Sequence, residues 1–350
     1  MDSSKLDITL SEVLKTLPDE CFQKNMLSAW GALILTLFFL LLGYVGLMFL
    51  PWYCMPFCWF FLGLSFVGLF AIGHDCGHYL FAQKPWVNHW VGHLVMMPII
   101  YPFYNWQIHH NAHHRFTNKL GGPRWKQLND VLTRKADVVW YPLRKDTWEL
   151  LSKKEKFIYR LSRKNFWWLT SILNWWYEVN LRKDKLSHRE WQKVRFSVAL
   201  VSVFAACACV GLIWRIGVLG LVQFWVMPWL MFHICLSLFS RIQHSSPDIP
   251  WKTAQDWNNA EAQLCGTVTC HFPRWVELVC HDFNIHIPHH VSTAIPHYHL
   301  RQAQVILEGK WGKYIKQSHF SWDLFQQMSK LNLYDPAADR HLSFAELDAS

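Results

Sequence analysis

Residues 25–73 read NMLSAWGALILTLFFLLLGYVGLMFLPWYCMPFCWFFLGLSFVGLFAIG and contain no Asp, Glu, Lys or Arg. A membrane-spanning helix needs about 20 apolar residues. The run therefore holds two, at residues 27–50 and 56–72, with Pro51 and Pro56 marking the turn between them. That turn is short and uncharged, as expected of the non-cytoplasmic side. His74 begins where the second helix leaves the bilayer, so His74 and His78 extend that helix by a turn or two.

Further along the chain, residues 86–106 are again uncharged, but Pro98 and Pro102 leave an apolar core too short to span. An interfacial helix or a re-entrant segment fits better. Residues 115–195 are dense in Lys and Arg and carry the aromatic clusters Phe166-Trp167-Trp168 and Trp175-Trp176-Tyr177, read as interfacial anchors. Two more uncharged runs follow, giving spans at 196–214 and 216–240 around Arg215. The expected fold is an all-α integral membrane protein, a single domain over residues 1–350. Four transmembrane helices form two hairpins, joined by interfacial helices. Residues 241–350 form a cytosolic helical cap holding a His-rich dimetal site. Two spans separate the histidines before residue 115 from those after 280, so both groups emerge on one side. The basic loop lies on that side too, and the positive-inside rule makes it cytosolic, along with both termini.

Composition agrees with this reading. Only 17% of residues are charged, against roughly 25% in soluble domains, and the 22 Trp suit a membrane boundary. The net charge of +9 suits anionic lipid or an acidic protein partner, and no soluble basic module points to nucleic acid. The ten Cys are scattered without a Cys-x-x-Cys pair and read as small buried hydrophobes rather than a disulfide framework. Residues 1–24 mix acids with lysines and lack the apolar stretch of a signal peptide, so a polar cytosolic segment is expected.

Three histidine strings stand out: His74-Asp75-Cys76-Gly77-His78, His109-His110-Asn111-Ala112-His113-His114 and His286-Ile287-Pro288-His289-His290. Residues three and four apart share a helix face, so His74 and His78, then His110, His113 and His114, then His286, His289 and His290 can each face one point. Neutral imidazole is the commonest ligand for iron, copper, zinc and nickel. Eight such nitrogens exceed one ion's needs, which makes two metals the economical reading. His109 points about 100° away from His110 and reads as an outer neighbour. Asp75, His281, Asp282 and Asn284 flank the strings and are placed to orient ligand imidazoles. His89 and His93 read as packing, His233 as an internal hydrogen bond, and His188, His297, His299, His319 and His341 as surface.

A zinc protease would need His-Glu-x-x-His and a soluble di-iron carboxylate protein Glu-x-x-His pairs; neither string occurs. A structural zinc site closes with four ligands, leaving half of these histidines unused. A transporter should carry ionisable residues along its spans, where only His233 qualifies. A nitrogen-ligated pair of irons activates dioxygen and removes hydrogen from unactivated C–H bonds, chemistry that no side chain supplies. At a membrane surface the substrate would be lipid.

In this order around two helix pairs, the three strings resemble the membrane fatty acid desaturases, from about residue 50 to 335. Trp86-Val87-Asn88, Met227-Pro228-Trp229, Ala260-Glu261-Ala262-Gln263-Leu264 and His281-Asp282-Phe283-Asn284 look most like cyanobacterial and plastid acyl-lipid delta-12 (omega-6) desaturases. The resemblance implies two Fe ions with O2 as co-substrate, and a ninth ligand after the fourth span, where His244 stands. It implies a membrane glycerolipid acyl chain as substrate, and a plasma or thylakoid membrane of cyanobacterial type. A fused haem domain would show His-Pro-Gly-Gly, which is missing, so the family's separate small donor, ferredoxin, is implied. Omega-3 desaturation or hydroxylation on the same scaffold, and a non-catalytic metal-binding membrane protein, are the alternatives.

Overall fold

The side chain of Asn25 accepts hydrogen bonds from the Leu27 and Ser28 amides at 3.0 and 3.2 Å and so starts the first apolar helix, Met26–Phe49. The computed structural model describes residues 8–247 and 249–349. Ala29, Ala32, Thr36, Leu40, Gly43 and Leu47 form the helix's buried stripe, while Leu27 and Leu41 on other faces are 86% and 63% exposed. Apolar residues turned outward over a whole helix suit lipid, not water.

The second helix, Met55–Gly77, starts with Pro56 in its first turn, where a missing amide costs nothing. It is buried continuously from Leu62 to Gly77 and forms the centre of the bundle. Glycine permits the closest approaches. A Cβ on Gly63 would lie 2.7 Å from Met231 Cβ and 2.9 Å from the Phe232 amide nitrogen.

Helix His188–Leu221 opens with a Ser187–Glu190 capping box and is interrupted at Gly217, whose φ of 72° is left-handed. The rings of Phe204 and Trp225 lie 6.1 Å apart. An unbroken helix would separate them by about 31 Å, so the chain doubles back at Gly217, two residues past the expected Arg215 turn. A π-helical stretch, Val222–Val226, leads into Met227–His244. By length and composition, Met26–Phe49, Trp52–Gly77 and the helical run His188–His244 are each able to cross a membrane.

Residues 86–106 are not one continuous helix. Pro85–Met96 is a short helix, and residues 103–106 already belong to the next helix, Phe103–Phe116. The two close on each other where a Cβ on Gly92 would meet Phe103 at 2.4 Å. The all-α expectation needs correction as well. Val268–His271 pairs in parallel with Lys316–His319, and Leu143–Arg144, Leu333–Asp335 and Arg340–Leu342 form a second small sheet. Strands of two to four residues are too short to print an alternating pattern.

The polar cap is also not confined to residues 241–350. Leu143 pairs with Leu333, bringing in the basic loop. Val13, Leu17 and Cys21 pack with Leu264, Ile285 and Leu307, so the N-terminal segment is part of the same core. Asn25 donates its amide to Tyr298 Oη at 2.7 Å. None of the ten cysteines is paired, and seven are buried.

Candidate metal centre

Each histidine string sits at an element end beside the bundle. His74 occupies the last turn of the second helix and His78 caps it, with its amide 3.2 Å from the His74 carbonyl oxygen. His110, His113 and His114 lie on the last two turns of Phe103–Phe116. His286 is the N-cap of the short helix Ile287–Val291, which carries His289 and His290. His244 ends Met227–His244.

These nine side chains converge. One ring nitrogen from each of His74, His78, His110, His114 and His289 falls within 4.8 Å of all the others, and His113, His244 and His290 form a second such group. His286 joins the second, its Nε2 lying 3.1 Å from both His244 Nε2 and His290 Nε2. His114 Nε2 stands 2.9 Å from His110 Nε2 and from His289 Nε2.

Such nitrogens face one another with too few protons to go round. The Nε2 atoms of His74, His78 and His113 are buried without any hydrogen-bond partner, a costly arrangement for polar atoms. Cations among them would satisfy every lone pair, so the donor set fits metal ions. It is all imidazole, which suits iron, zinc, copper or nickel. Burial first, then the neighbouring imidazoles, hold His110, His114, His286, His289 and His290 well below the ordinary histidine range. Burial likewise pushes His78 down to about 3. At neutral pH these rings are the uncharged, ligating form.

The side chains that orient this cluster differ from those expected. Asp137, fully buried, accepts from His113 Nδ1 at 2.7 Å and from the Asn118 and Val139 amides at 2.6 and 2.9 Å. Gln263 Oε1 accepts from His290 Nδ1 at 3.1 Å. Each leaves the opposite ring nitrogen free to face the centre.

Asp75 lies 4.0 Å from His74 Nδ1, beyond hydrogen-bond reach, and instead accepts from His297 Nδ1 at 2.8 Å. His297, expected at the surface, is therefore buried as that partner. His281 touches Thr36 Oγ1 at 2.5 Å, Asp282 pairs with Arg274 and Arg301, and Asn284 donates to the Cys270 carbonyl. None of these three reaches a cluster imidazole; they brace the turn ahead of His286, where His281 and Asp282 adopt φ of 52° and 55°. His109 turns away from the cluster to Glu178 Oε1 at 3.0 Å. His93 bonds the His89 carbonyl and Ser197, and His233 bonds Ser171.

A cavity of about 410 Å³ adjoins the histidines. Phe70, Tyr101, Trp106, Trp140 and Tyr177 line it together with His74, His110, His113, His244 and His286. Its size and apolar wall suit a small-molecule or chain ligand.

Long apolar helices, imidazoles gathered at their ends and an apolar cavity alongside define a membrane-associated protein with a polyhistidine metal-binding centre. Residues 50–322 match the model of the fatty acid desaturase family, and the chain belongs to that family. It is 43% identical over 331 residues to the sn-1 oleoyl-lipid 12-desaturase of Synechocystis, covering 94% of this chain and 90% of that protein. The enzyme of the same name from Anabaena variabilis is 41% identical over 92% of this chain and 89% of its own length. The chloroplastic omega-6 fatty acid desaturase of Glycine max is 36% identical, over 94% of this chain and 74% of that protein.

Proposed function

We propose that this chain desaturates a fatty acyl chain within a membrane glycerolipid, inserting a double bond at the delta-12 (omega-6) position of a monounsaturated chain. The observation that carries the reading is the convergence of nine imidazoles, six of them buried and three half-buried, beside a cavity lined by aromatic rings. The names of the Synechocystis and Glycine max relatives support the substrate and position.

His74, His78, His110, His114 and His289 would hold one iron, and His113, His244, His286 and His290 the other. The pair would supply the oxygen chemistry needed to abstract hydrogen from an unactivated methylene. The protein's part is to bind, orient and exclude water. Trp106, stacked on His110 at 4.7 Å between ring centres, and Phe70 wall the reacting end of the cavity against solvent. Asp137 and Gln263 fix the His113 and His290 rings, so their free nitrogens keep one direction through turnover. Overall, each turnover removes two hydrogens from the chain and reduces one O2 to two waters, consuming two electrons and two protons.

In this reading the helices on either side of Gly217 are separate spans, so four spans form two hairpins in one domain. The basic loop and the metal centre then lie on the cytosolic side. A small acidic donor such as ferredoxin would deliver electrons there, favoured by the excess of Lys and Arg.

The test is expression in a host whose lipids are only monoenoic, with ferredoxin and its reductase supplied. Dienoic chains should accumulate, with mass spectrometry locating the new bond at carbon 12. Hydroxylated chains, or an unchanged lipid profile, would refute the reading.

Asp137→Asn is expected to retain fold and lose metal. The amide keeps the size of the carboxylate but not its charge, and outer partners of ligand histidines are worth roughly 10–100-fold in metal affinity. Iron per purified protein should fall from two towards one. A full complement of two would show that Asp137 has no role in holding His113.

A further inference from the structure

We propose that the cavity beside the histidines ends in a subsite for the anionic headgroup of a lipid, a phosphate or sulfonate held by Arg163 with Arg241 behind it. This rests on the lipid-desaturase reading and deepens it. The cavity wall includes Tyr159, Ser162 and Arg163 on the helix Lys153–Lys164, together with Leu132 and Leu173. Leu132 and Leu173 are 50% and 55% exposed, so the cavity reaches the surface there. On the same helix, Phe157 and Ile158 are exposed beside Lys153, Lys154 and Lys156. Exposed apolar side chains among lysines are what a segment lying in lipid headgroups carries.

The charge balance at this end is incomplete. Arg163 donates Nε to Tyr159 Oη at 3.1 Å and Nη2 to the Tyr141 carbonyl, and pairs with no carboxylate among the described residues. Arg241 is buried and has no carboxylate among them either; its guanidinium rests on the rings of Trp140, Trp167 and Phe325 at 5.4–5.7 Å, and its Nη1 lacks a hydrogen-bond partner. Arg163 covers the same Trp140 ring at 5.5 Å. Two guanidinium groups thus share one indole without a counter-ion among the described residues, which is unfavourable for cations drawn out of water. The carboxylate that lines this cavity, Glu178, is engaged by His109 next to the cluster.

A phosphate or sulfonate at Arg163 supplies the missing negative charge and matches the fork of a guanidinium. The acyl chain of that lipid would then run past Trp140 and Tyr177 to the histidines. Uncharged sugar headgroups and zwitterionic ones gain less here, so the site sorts lipids by class.

The test uses iron-loaded enzyme with ferredoxin and its reductase on vesicles of monoenoic phosphatidylglycerol and phosphatidylcholine in equal amounts. Wild type should form more diene in phosphatidylglycerol. Arg163→Gln should lower the ratio of diene between the two classes roughly tenfold, the worth of one charge-assisted hydrogen bond, and Arg163→Lys should keep most of the preference. The ratio is internal to each sample, so differing amounts of folded protein do not affect it. Wild type forming diene without class preference, or Arg163→Gln lowering both classes equally, overturns the subsite alone. Wild type forming no diene in either class overturns the desaturase reading together with it.

Discussion

Replacing His244 by Ala is expected to abolish diene formation and to cut bound iron from two per chain towards one, while the protein still inserts. The residue lies outside the three histidine strings, as a lone ring at the end of Met227–His244. Its Nε2 nevertheless stands 3.1 Å from His286 Nε2, and it shares the second group with His113 and His290. Loss of a direct ligand should exceed the roughly 10–100-fold cost of losing an outer partner. His113→Ala should behave the same way, and exposed His188→Ala should change nothing. Iron analysis and the host's lipid profile measure both effects. A His244→Ala protein that retained two irons and full activity would reduce the ligand set to the eight histidines of the strings.

The second large effect is structural. Gly63→Val should prevent the central helix from seating against Met227–His244, because even a Cβ there would lie 2.7–2.9 Å from Met231 and Phe232 atoms, two of them backbone. Backbone cannot step aside as a side-chain tip can, and overpacking of this kind costs roughly 1–3 kcal/mol or more. His74 and His244 sit on these two helices, so metal binding should fall with stability. Gly31→Val is the control, since nothing lies within 4 Å of a Cβ there. Thermal unfolding in detergent should separate the two variants clearly; equal midpoints would mean the helices have room to move apart.

How much of this was legible in the sequence depends on how far apart the interacting residues lie. The first two apolar helices follow from an uncharged run, and their bounds agree with expectation to within a few residues, the second including its extension through His74 to a cap at His78. The spacing within each histidine string is local, and a helix turns it into a shared direction without help from distant residues. Asp137 and Gln263 were not legible, because nothing near them in sequence marks them as partners of His113 and His290. His297 was misplaced at the surface because its partner, Asp75, is more than two hundred positions away. Asp282 and Asn284 sit two to four residues from a ligand, yet their side chains point to arginines and a carbonyl instead. The short strands were missed for the same reason, since Leu143 finds its partner only at Leu333.

The packing of Val13, Leu17 and Cys21 beneath Leu264, Ile285 and Leu307 bears on how the protein is made. A ribosome delivers the first two membrane helices and five of the cluster's histidines long before His286, His289 and His290 leave the exit tunnel. Until they do, the N-terminal segment lacks part of the core it settles against, which includes Ile287, Val291 and Leu307, and each half of the centre lacks ligands. On the proposed ligand set, metal loading therefore belongs to the finished polypeptide, and a stalled or prematurely terminated chain would be left with an incomplete set of histidines.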